Sequence, residues 1–160
     1  MSEPRSTLRP LAVAFVIATA VAATGAALTS LGPWYRELVK PAWQPPDWLF
    51  GPAWTLIFAL CALAGAGTWR RAGDADARRR LLTAFAVNGV LNVTWSALFF
   101  RVQRPAWALV EVVLLWASIV VLIRVCAAVW RPAAWLLAPY LAWVSFASVL
   151  NAAIVRLNPA

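Results

Sequence analysis

Side chains able to do covalent or acid–base chemistry are scarce in this chain of 160 residues. It has no histidine and two cysteines, Cys61 and Cys126, which both lie in apolar runs. These counts exclude a Ser-His-Asp triad and a metal site built from histidine and cysteine. Buried cysteines in such runs usually serve as small packing residues, so no disulfide is expected. Glu111 is the one acid inside a long apolar run, and it has no partner there for acid–base catalysis.

Polar and aromatic side chains recur at three- and four-residue spacing in three of the apolar runs, which places each set on one face of a helix. The three sets are Asn88, Asn92, Trp95, Ser96 and Phe99; Trp107, Glu111, Leu114 and Ser118; and Tyr140, Trp143, Ala147, Leu150 and Asn151. An unpaired polar group in hydrocarbon costs several kcal/mol, so these faces are expected to converge in the protein interior. The asparagines serve there either as structural hydrogen bonds between helices or as ligand contacts.

Eleven tryptophans are the strongest oddity of the composition. Trp69, Trp130 and Trp135 lie at the ends of apolar runs and are typical of interfacial anchors. Seven others do not fit that position: Trp34, Trp43, Trp48, Trp54, Trp95, Trp107 and Trp143. Aromatic walls with a few polar groups suit a flat, largely apolar ligand, so the sequence predicts a cavity of that kind.

The elements that position these residues are predicted to be membrane-spanning helices. Hydrophobic residues make up 63% of the chain, charged residues 12%, and the mean hydropathy is +0.74, which no soluble domain of this size accommodates. Apolar runs of about 20 residues, the length that crosses a bilayer, lie at 11–29, 52–69, 81–100, 106–129 and 133–155. The predicted fold is therefore an all-α, five-helix transmembrane bundle forming a single domain over residues 1–160. Residues 30–51 form a long first loop, rich in proline and tryptophan, that is expected to cover the ligand as a lid.

The net charge of +8 is interpreted as loop charge that orients the spans, and no nucleic-acid partner is predicted. One side of the membrane carries Arg5, Arg9, Arg70, Arg71, Arg78, Arg79, Arg80, Arg124 and Arg131. The other carries Arg36, Lys40, Arg101, Arg104 and Arg156. Because cytoplasmic loops are richer in lysine and arginine, the N-terminus and residues 70–80 are expected to face the cytoplasm, with the C-terminus outside.

Four segments resemble one known family, the TspO/MBR family of tryptophan-rich sensory proteins and translocator proteins (peripheral-type benzodiazepine receptors). They are WYRELVKPAWQPPDWLFGPAW at 34–54, NVTWSALFF at 92–100, PAWALVEVVLL at 105–115 and PYLAWVSFASVLN at 139–151. The resemblance implies a five-helix membrane bundle, often a homodimer, in a bacterial membrane. It also implies binding of porphyrins and other tetrapyrroles, sterols, and benzodiazepine- or isoquinoline-type drugs, in a pocket beneath the first loop.

The family's functional positions carry over to particular residues of this chain. The lid falls on Trp43, Pro45, Pro46 and Trp48, and the pocket walls on Trp54, Trp95, Trp107 and Trp143. Further ligand contacts fall on Ala26, Leu49, Leu114, Ala147 and Leu150, to which the polar-face argument adds Asn92 and Glu111. The anionic groups of a tetrapyrrole are expected near Arg36 or Lys40.

Two positions depart from the family pattern. Ala152 stands where the sterol-recognition pattern of eukaryotic members requires a tyrosine, which puts sterol binding through that motif in doubt. Gln44 stands where some relatives have a histidine, so histidine cannot ligate a metalloporphyrin.

Three functions remain open from the sequence. The favoured one is a membrane receptor or carrier for a planar hydrophobic ligand, with no resident cofactor. The second is light-driven porphyrin degradation, in which Trp54 and Trp143 would be the catalytic residues. The third is a structural or partner-regulating membrane protein.

Overall fold

The computed structural model describes residues 8–159, and within that range every regular element is helical. Five long helices alternate in direction: α1 (Leu8–Leu28), α3 (Phe50–Arg71), α4 (Ala75–Ser96), α5 (Pro105–Val129) and α6 (Pro132–Leu157). Each is long and apolar enough to cross a membrane. The short helix α2 (Pro33–Glu37) and a 3₁₀ turn (Asp47–Leu49) lie between α1 and α3. The predicted all-α bundle of five spans is confirmed.

The five long helices form a ring, in which α1 packs on α3, α3 on α6, α6 on α5 and α5 on α4. A less extensive contact between α4 and α1 closes the ring. The main core lies between α5 and α6, where Ile119, Leu122 and Leu137 have no exposed surface. By contrast α1 has no buried residue, so one wall of the bundle is loosely packed.

The two ends of the bundle differ in the connections that they hold. The arginine end holds the start of α1 and the connections at residues 72–74 and 130–131, and the loop end holds residues 29–49 and 102–104. At the arginine end, the side chain of Asp74 accepts a hydrogen bond from the backbone N–H of Ala77 at 2.7 Å and caps α4.

This cap places residues 75–80, which lie before the apolar run at 81–100, inside α4. Arg70 and Arg71 end α3, and Arg78 lies in the first turn of α4, so only residues 72–74 are outside a helix. Charged arginines continue the helix because their long side chains reach water from its surface. The predicted start of this span at residue 81 was therefore six residues late.

At the loop end, α4 continues as a π-helical turn (Ala97–Arg101) before a tight connection to α5. Gln103 has a φ of 55°, a left-handed conformation that lets the chain reverse within a few residues. Pro105 then occupies the first turn of α5, where its missing N–H needs no partner.

Candidate functional site

A hydrogen-bonded polar cluster joins three helices inside the bundle. The Nδ2 of Asn92 donates to the hydroxyl of Tyr140 at 3.1 Å, and that hydroxyl donates to Oδ1 of Asn88 at 3.2 Å. The Nδ2 of Asn88 donates in turn to the hydroxyl of Ser118 at 2.9 Å. The cluster brings together the polar faces of α4, α5 and α6, as the spacing of these residues predicts. Each side chain of the cluster gives another one a hydrogen-bond partner, as polar groups buried in hydrocarbon require.

A second set of polar groups lies nearer the loop end. The Oδ1 of Asn151 accepts from the indole N–H of Trp95 at 3.3 Å, and its Nδ2 donates to the carbonyl of Pro105 at 2.9 Å. Glu111 lies between the two sets on α5 and is 7% exposed. Neither of its carboxyl oxygens has a hydrogen-bond partner among residues 8–159.

A cavity of about 980 Å³ lies between α1, α3 and α4 and is called the lateral cavity below. Small residues leave this space: Ala14 and Ala18 on α1 face Ala62, Gly65 and Ala66 on α3. The four-residue spacing of alanines on α1 usually indicates close helix packing. Here part of that small-residue surface lines the cavity.

Aromatic and polar side chains form the other walls of the lateral cavity. Phe58, Trp69 and Phe85 supply three aromatic rings, and Asn88, Asn92 and Tyr140 supply the polar wall. The ring of Phe85 lies against Gly65, where an added Cβ would meet it at 3.2 Å. Since Asn92 uses Nδ2 to reach Tyr140, its Oδ1 is left to accept a hydrogen bond from a ligand.

The lateral cavity is open between α1 and α4. Ile17 of α1 and Val90 of α4 line it and are 53% and 65% exposed. The two helices approach each other toward the loop end, where a Cβ on Gly25 would lie 3.8 Å from the hydroxyl of Ser96. In a bilayer the opening faces lipid, because both helices cross the membrane.

Three of the tryptophans predicted as pocket walls are partly buried, but they lie outside the lining of the lateral cavity. Trp54 packs against Phe58 at 5.5 Å and against Tyr140 at 6.0 Å between ring centroids, so it supports two lining residues from behind. Trp95 stacks on Phe99 at 5.2 Å. Trp143 meets Phe50 edge to face at 5.6 Å.

The expectation that Trp107 and Leu114 point inward with Glu111 is wrong, since they are 62% and 58% exposed on α5. The buried stripe of α5 runs through Ala108, Val112 and Leu115, and Glu111 lies at its edge. At 3.6 residues per turn, Trp107 and Leu114 fall one position further round, outside the contact with α4 and α6. Ala26 is likewise exposed on α1.

The remaining predicted residues lie at the loop end. Leu150 is buried with Tyr35, Phe99 and Ala108, while Ala147 and Leu49 are partly buried. Of all the residues predicted to contact a ligand, Asn92 is the one that lines the lateral cavity.

The first loop is held together by hydrogen bonds of Tyr35 and is joined to the end of α6 through Val39. The hydroxyl of Tyr35 donates to Asp47 at 3.0 Å and accepts from Nε2 of Gln44 at 3.2 Å. Burial, together with the hydrogen bond and negative charge of Asp47, raises the pKa of Tyr35 to about 12. The backbone N–H and C=O of Val39 pair with the side chain of Asn158 beyond the end of α6, both at 2.9 Å.

The loop residues predicted as a lid differ in whether they pack against the bundle or are exposed. Trp43 packs edge to face on Phe146 of α6 at 5.9 Å, and Pro45 is partly buried. Pro46 is exposed, and Trp48 is 71% exposed. The loop covers the loop end of the bundle, whereas the lateral cavity opens elsewhere.

The sequence reasoning missed most of the cavity lining, above all the aromatic rings of Phe58 and Phe85 and the small residues facing them. The available signal was the run of small residues on two consecutive spans, Ala14 to Ala26 and Ala62 to Gly67. Small residues can line a cavity as well as a tight contact, and only the separation of the helices distinguishes the two.

The chain is similar to known proteins of one family. The model of the TspO/MBR family matches residues 12–157. The tryptophan-rich protein TspO of Chlorobaculum tepidum is 46% identical, over 79% of this chain and 80% of its own. The protein CrtK of Rhodobacter capsulatus is 36% identical over 92% of each chain. The human translocator protein is 32% identical, over 78% of this chain and 75% of its own.

Proposed function

The chain belongs to the TspO/MBR family, and on that premise we propose that it is a membrane receptor for planar hydrophobic ligands, with a porphyrin as the best-fitting class. The observation that carries this proposal is the lateral cavity of about 980 Å³. Its size lies at the upper end of the range of roughly 300–1,000 Å³ typical of small-molecule sites, which suits a large ring system.

The walls of the lateral cavity favour a flat ring over a branched or globular ligand. The small side chains of Ala18 and Ala62 stand on neighbouring helices, and the rings of Phe58 and Phe85 offer apolar faces. Aromatic stacking of this kind is worth about 0.5–1.5 kcal/mol per ring pair beyond simple burial.

The polar wall gives this apolar cavity one oriented acceptor. The Oδ1 of Asn92 is left to accept on this wall, because Asn92 uses its Nδ2 to reach Tyr140. The hydroxyl of Tyr140 holds Asn92 in place and is itself fixed by its hydrogen bond to Oδ1 of Asn88. A site that orients one acceptor in an apolar cavity selects ligands with a matching donor.

The names of the relatives agree with ligand handling in a membrane, since one is called a sensory protein and others translocator proteins. We propose that this chain likewise takes hydrophobic ligands from the lipid phase. The opening between α1 and α4 provides the route, because it faces the hydrocarbon region where such ligands dissolve.

The experiment that tests this function is a titration of tryptophan fluorescence with protoporphyrin IX in purified protein. Replacing Ala18 by phenylalanine fills the cavity, and we expect affinity to fall at least about tenfold, because an overfilled site forces its neighbours to move. Ala23→Phe is the matched control, since Ala23 lies on the same helix, is exposed and does not line the cavity. Equal affinities in the two variants would refute the assignment of the site.

A further inference from the structure

The lateral cavity has a basic end, formed where it reaches the arginine end of the bundle. Arg9 of α1 and Trp69 of α3 line the cavity there, beside Leu81 of α4. Asn92 and Leu81 are about 16 Å apart along α4, at the helical rise of ~1.5 Å per residue. The cavity therefore runs from a polar middle to a cationic mouth.

Arg78 adds positive charge beside this mouth, although it is not itself among the residues that line the cavity. Its guanidinium lies over the ring of Trp69, 5.0 Å from the ring centroid, so the charge is held against a lining residue. The Nε of Arg78 is buried and has no hydrogen-bond partner in the described part of the chain. Because this nitrogen is enclosed, Arg78 acts on a ligand at the mouth through its positive charge.

The two acids that the structure describes at the arginine end, Asp74 and Asp76, are already engaged. Asp74 caps the first turn of α4, and Asp76 pairs with Arg79 at 3.0 Å in the one ion pair found among residues 8–159. Neither carboxylate therefore neutralises Arg9 or Arg78, and the mouth of the cavity keeps its positive charge.

The two cations of the first loop, Arg36 and Lys40, are engaged by the loop itself. The Nζ of Lys40 donates to the carbonyls of Tyr35 and Leu38 and lies 4.3 Å from the centroid of the Tyr35 ring. The Nε of Arg36 donates to the carbonyl of Leu31 at 3.2 Å. Neither residue lines the lateral cavity, so the expectation that they receive a ligand's anionic groups finds no support in the geometry.

We propose that Arg9, supported by the nearby charge of Arg78, binds the carboxylate of an amphiphilic ligand whose ring system occupies the lateral cavity. This assignment rests on the proposed function and adds the ligand's orientation: rings against Phe58 and Phe85, and acid groups at the arginine end. The ligand class is thus an anionic amphiphile, and a neutral ring of the same size binds less well.

The test compares protoporphyrin IX, which carries two carboxylates, with its dimethyl ester, which carries none. Both are titrated by tryptophan fluorescence in phosphatidylcholine nanodiscs, whose lipid has no net charge. We expect the affinity ratio of acid to ester to fall about fivefold in Arg9→Gln and again in Arg78→Gln, the effect of one cation near a membrane surface. The affinity for the ester should stay near the wild-type value, which shows that the cavity is intact.

Arg79→Gln is the matched control, because Arg79 is the next residue of α4 and is paired with Asp76. Its acid-to-ester ratio should equal that of the wild type. The proposal is overturned if the ratio is unchanged in Arg9→Gln and Arg78→Gln, if acid and ester weaken equally, or if Arg36→Gln alone lowers the ratio. If wild-type protein binds neither ligand, the proposed function itself fails, and this assignment fails with it.

Discussion

At the scale of single residues, Tyr140 holds the polar wall of the cavity together. Its hydroxyl accepts from Asn92 and donates to Asn88, so one oxygen satisfies two amides on α4. Removing it leaves buried donors and acceptors without partners, which costs more than the hydrogen bonds themselves contribute.

We therefore predict that Tyr140→Phe lowers the free energy of unfolding by about 1–3 kcal/mol and weakens porphyrin binding. Thermal unfolding in one detergent measures the first effect, and the fluorescence titration measures the second. Ser148→Ala is the control on the same helix, since its hydroxyl bonds only the carbonyl of Val144 one turn before. Equal stability of the two variants would show that the cluster is not a unit.

Tyr35 gives the loop a dependence on alkaline pH. Its pKa is raised from 10.0 to about 12, mainly by burial and then by Asp47. Below pH 10.0 the folded and unfolded states both hold the proton, so the contribution of Tyr35 to stability is complete. As the pH rises toward 12 the unfolded state ionises first, and this contribution is lost.

We predict that Asp47→Asn lowers the pKa of Tyr35 toward 10.0, because it removes the neighbouring negative charge. Ultraviolet absorbance of tyrosinate reports the titration, and a Tyr140→Phe background leaves Tyr35 as the sole tyrosine. Asp76→Asn, far from the loop on α4, should leave the titration unchanged. A pKa that stays about 12 without Asp47 would contradict this account of the loop.

Residue types and spacing predicted the polar faces of α4 and α6 well, because a repeat of three or four residues fixes which side chains share a face. Asn88, Asn92 and Tyr140 meet as expected. The same reasoning failed for Trp107 and Leu114, since spacing gives the face of a helix but not how much of it the neighbours cover. That coverage depends on which helices are neighbours in the ring, and the sequence of a single span does not show its neighbours.

At the scale of elements, the glycines of α3 differ in how much space their neighbours leave for a side chain. A Cβ at Gly67 would lie 2.7 Å from Cε3 of Trp130 and closer still to another ring atom. The ring of Trp130 is held in turn by the guanidinium of Arg71, 4.4 Å from its centroid. The glycine is thus required by close packing of α3 against the chain between α5 and α6.

We predict that Gly67→Ala destabilises the protein by about 1–3 kcal/mol, because Trp130 must move to accept the methyl group. Gly51→Ala on the same helix has nothing within 4 Å of the added Cβ and should cause no loss. Thermal unfolding of the two variants checks this. A loss of stability in Gly51→Ala with none in Gly67→Ala would contradict this prediction.

The start of α4 could not be predicted from hydropathy. Hydropathy located all five spans, but it placed the start of α4 at residue 81 although the helix begins at Ala75. Charged residues end an apolar run without ending a helix, and the cap at Asp74 sets the boundary. The first loop contacts Phe146 and Asn158 at the loop end, and its role as a lid over the ligand stays a prediction.

At the scale of the whole molecule, the distribution of charge predicts how the bundle sits in the membrane. The arginine end and the adjacent helix turns carry eight of the nine arginines predicted on that side, and the ninth, Arg5, lies outside the described residues. Because cytoplasmic loops are enriched in arginine and lysine, the arginine end should face the cytoplasm. The predicted homodimer stays a prediction.

Accessibility to a membrane-impermeant maleimide tests this orientation. Cysteine at Asp74 should react only after the cells are permeabilised, whereas cysteine at Arg104, exposed at the loop end, should react in intact cells. The native Cys61 and Cys126 are buried and give little background. Labelling of the Asp74 variant in intact cells would invert the predicted topology.

The central claim is that the ligand occupies the lateral cavity between α1, α3 and α4, and not a pocket beneath the first loop. A crystal structure of the protein with protoporphyrin IX tests it most directly. We predict ring density against Phe58 and Phe85, with part of the ring system beside Asn92. Density among Trp95, Trp143 and the first loop, with the lateral cavity free of ligand, would contradict the account.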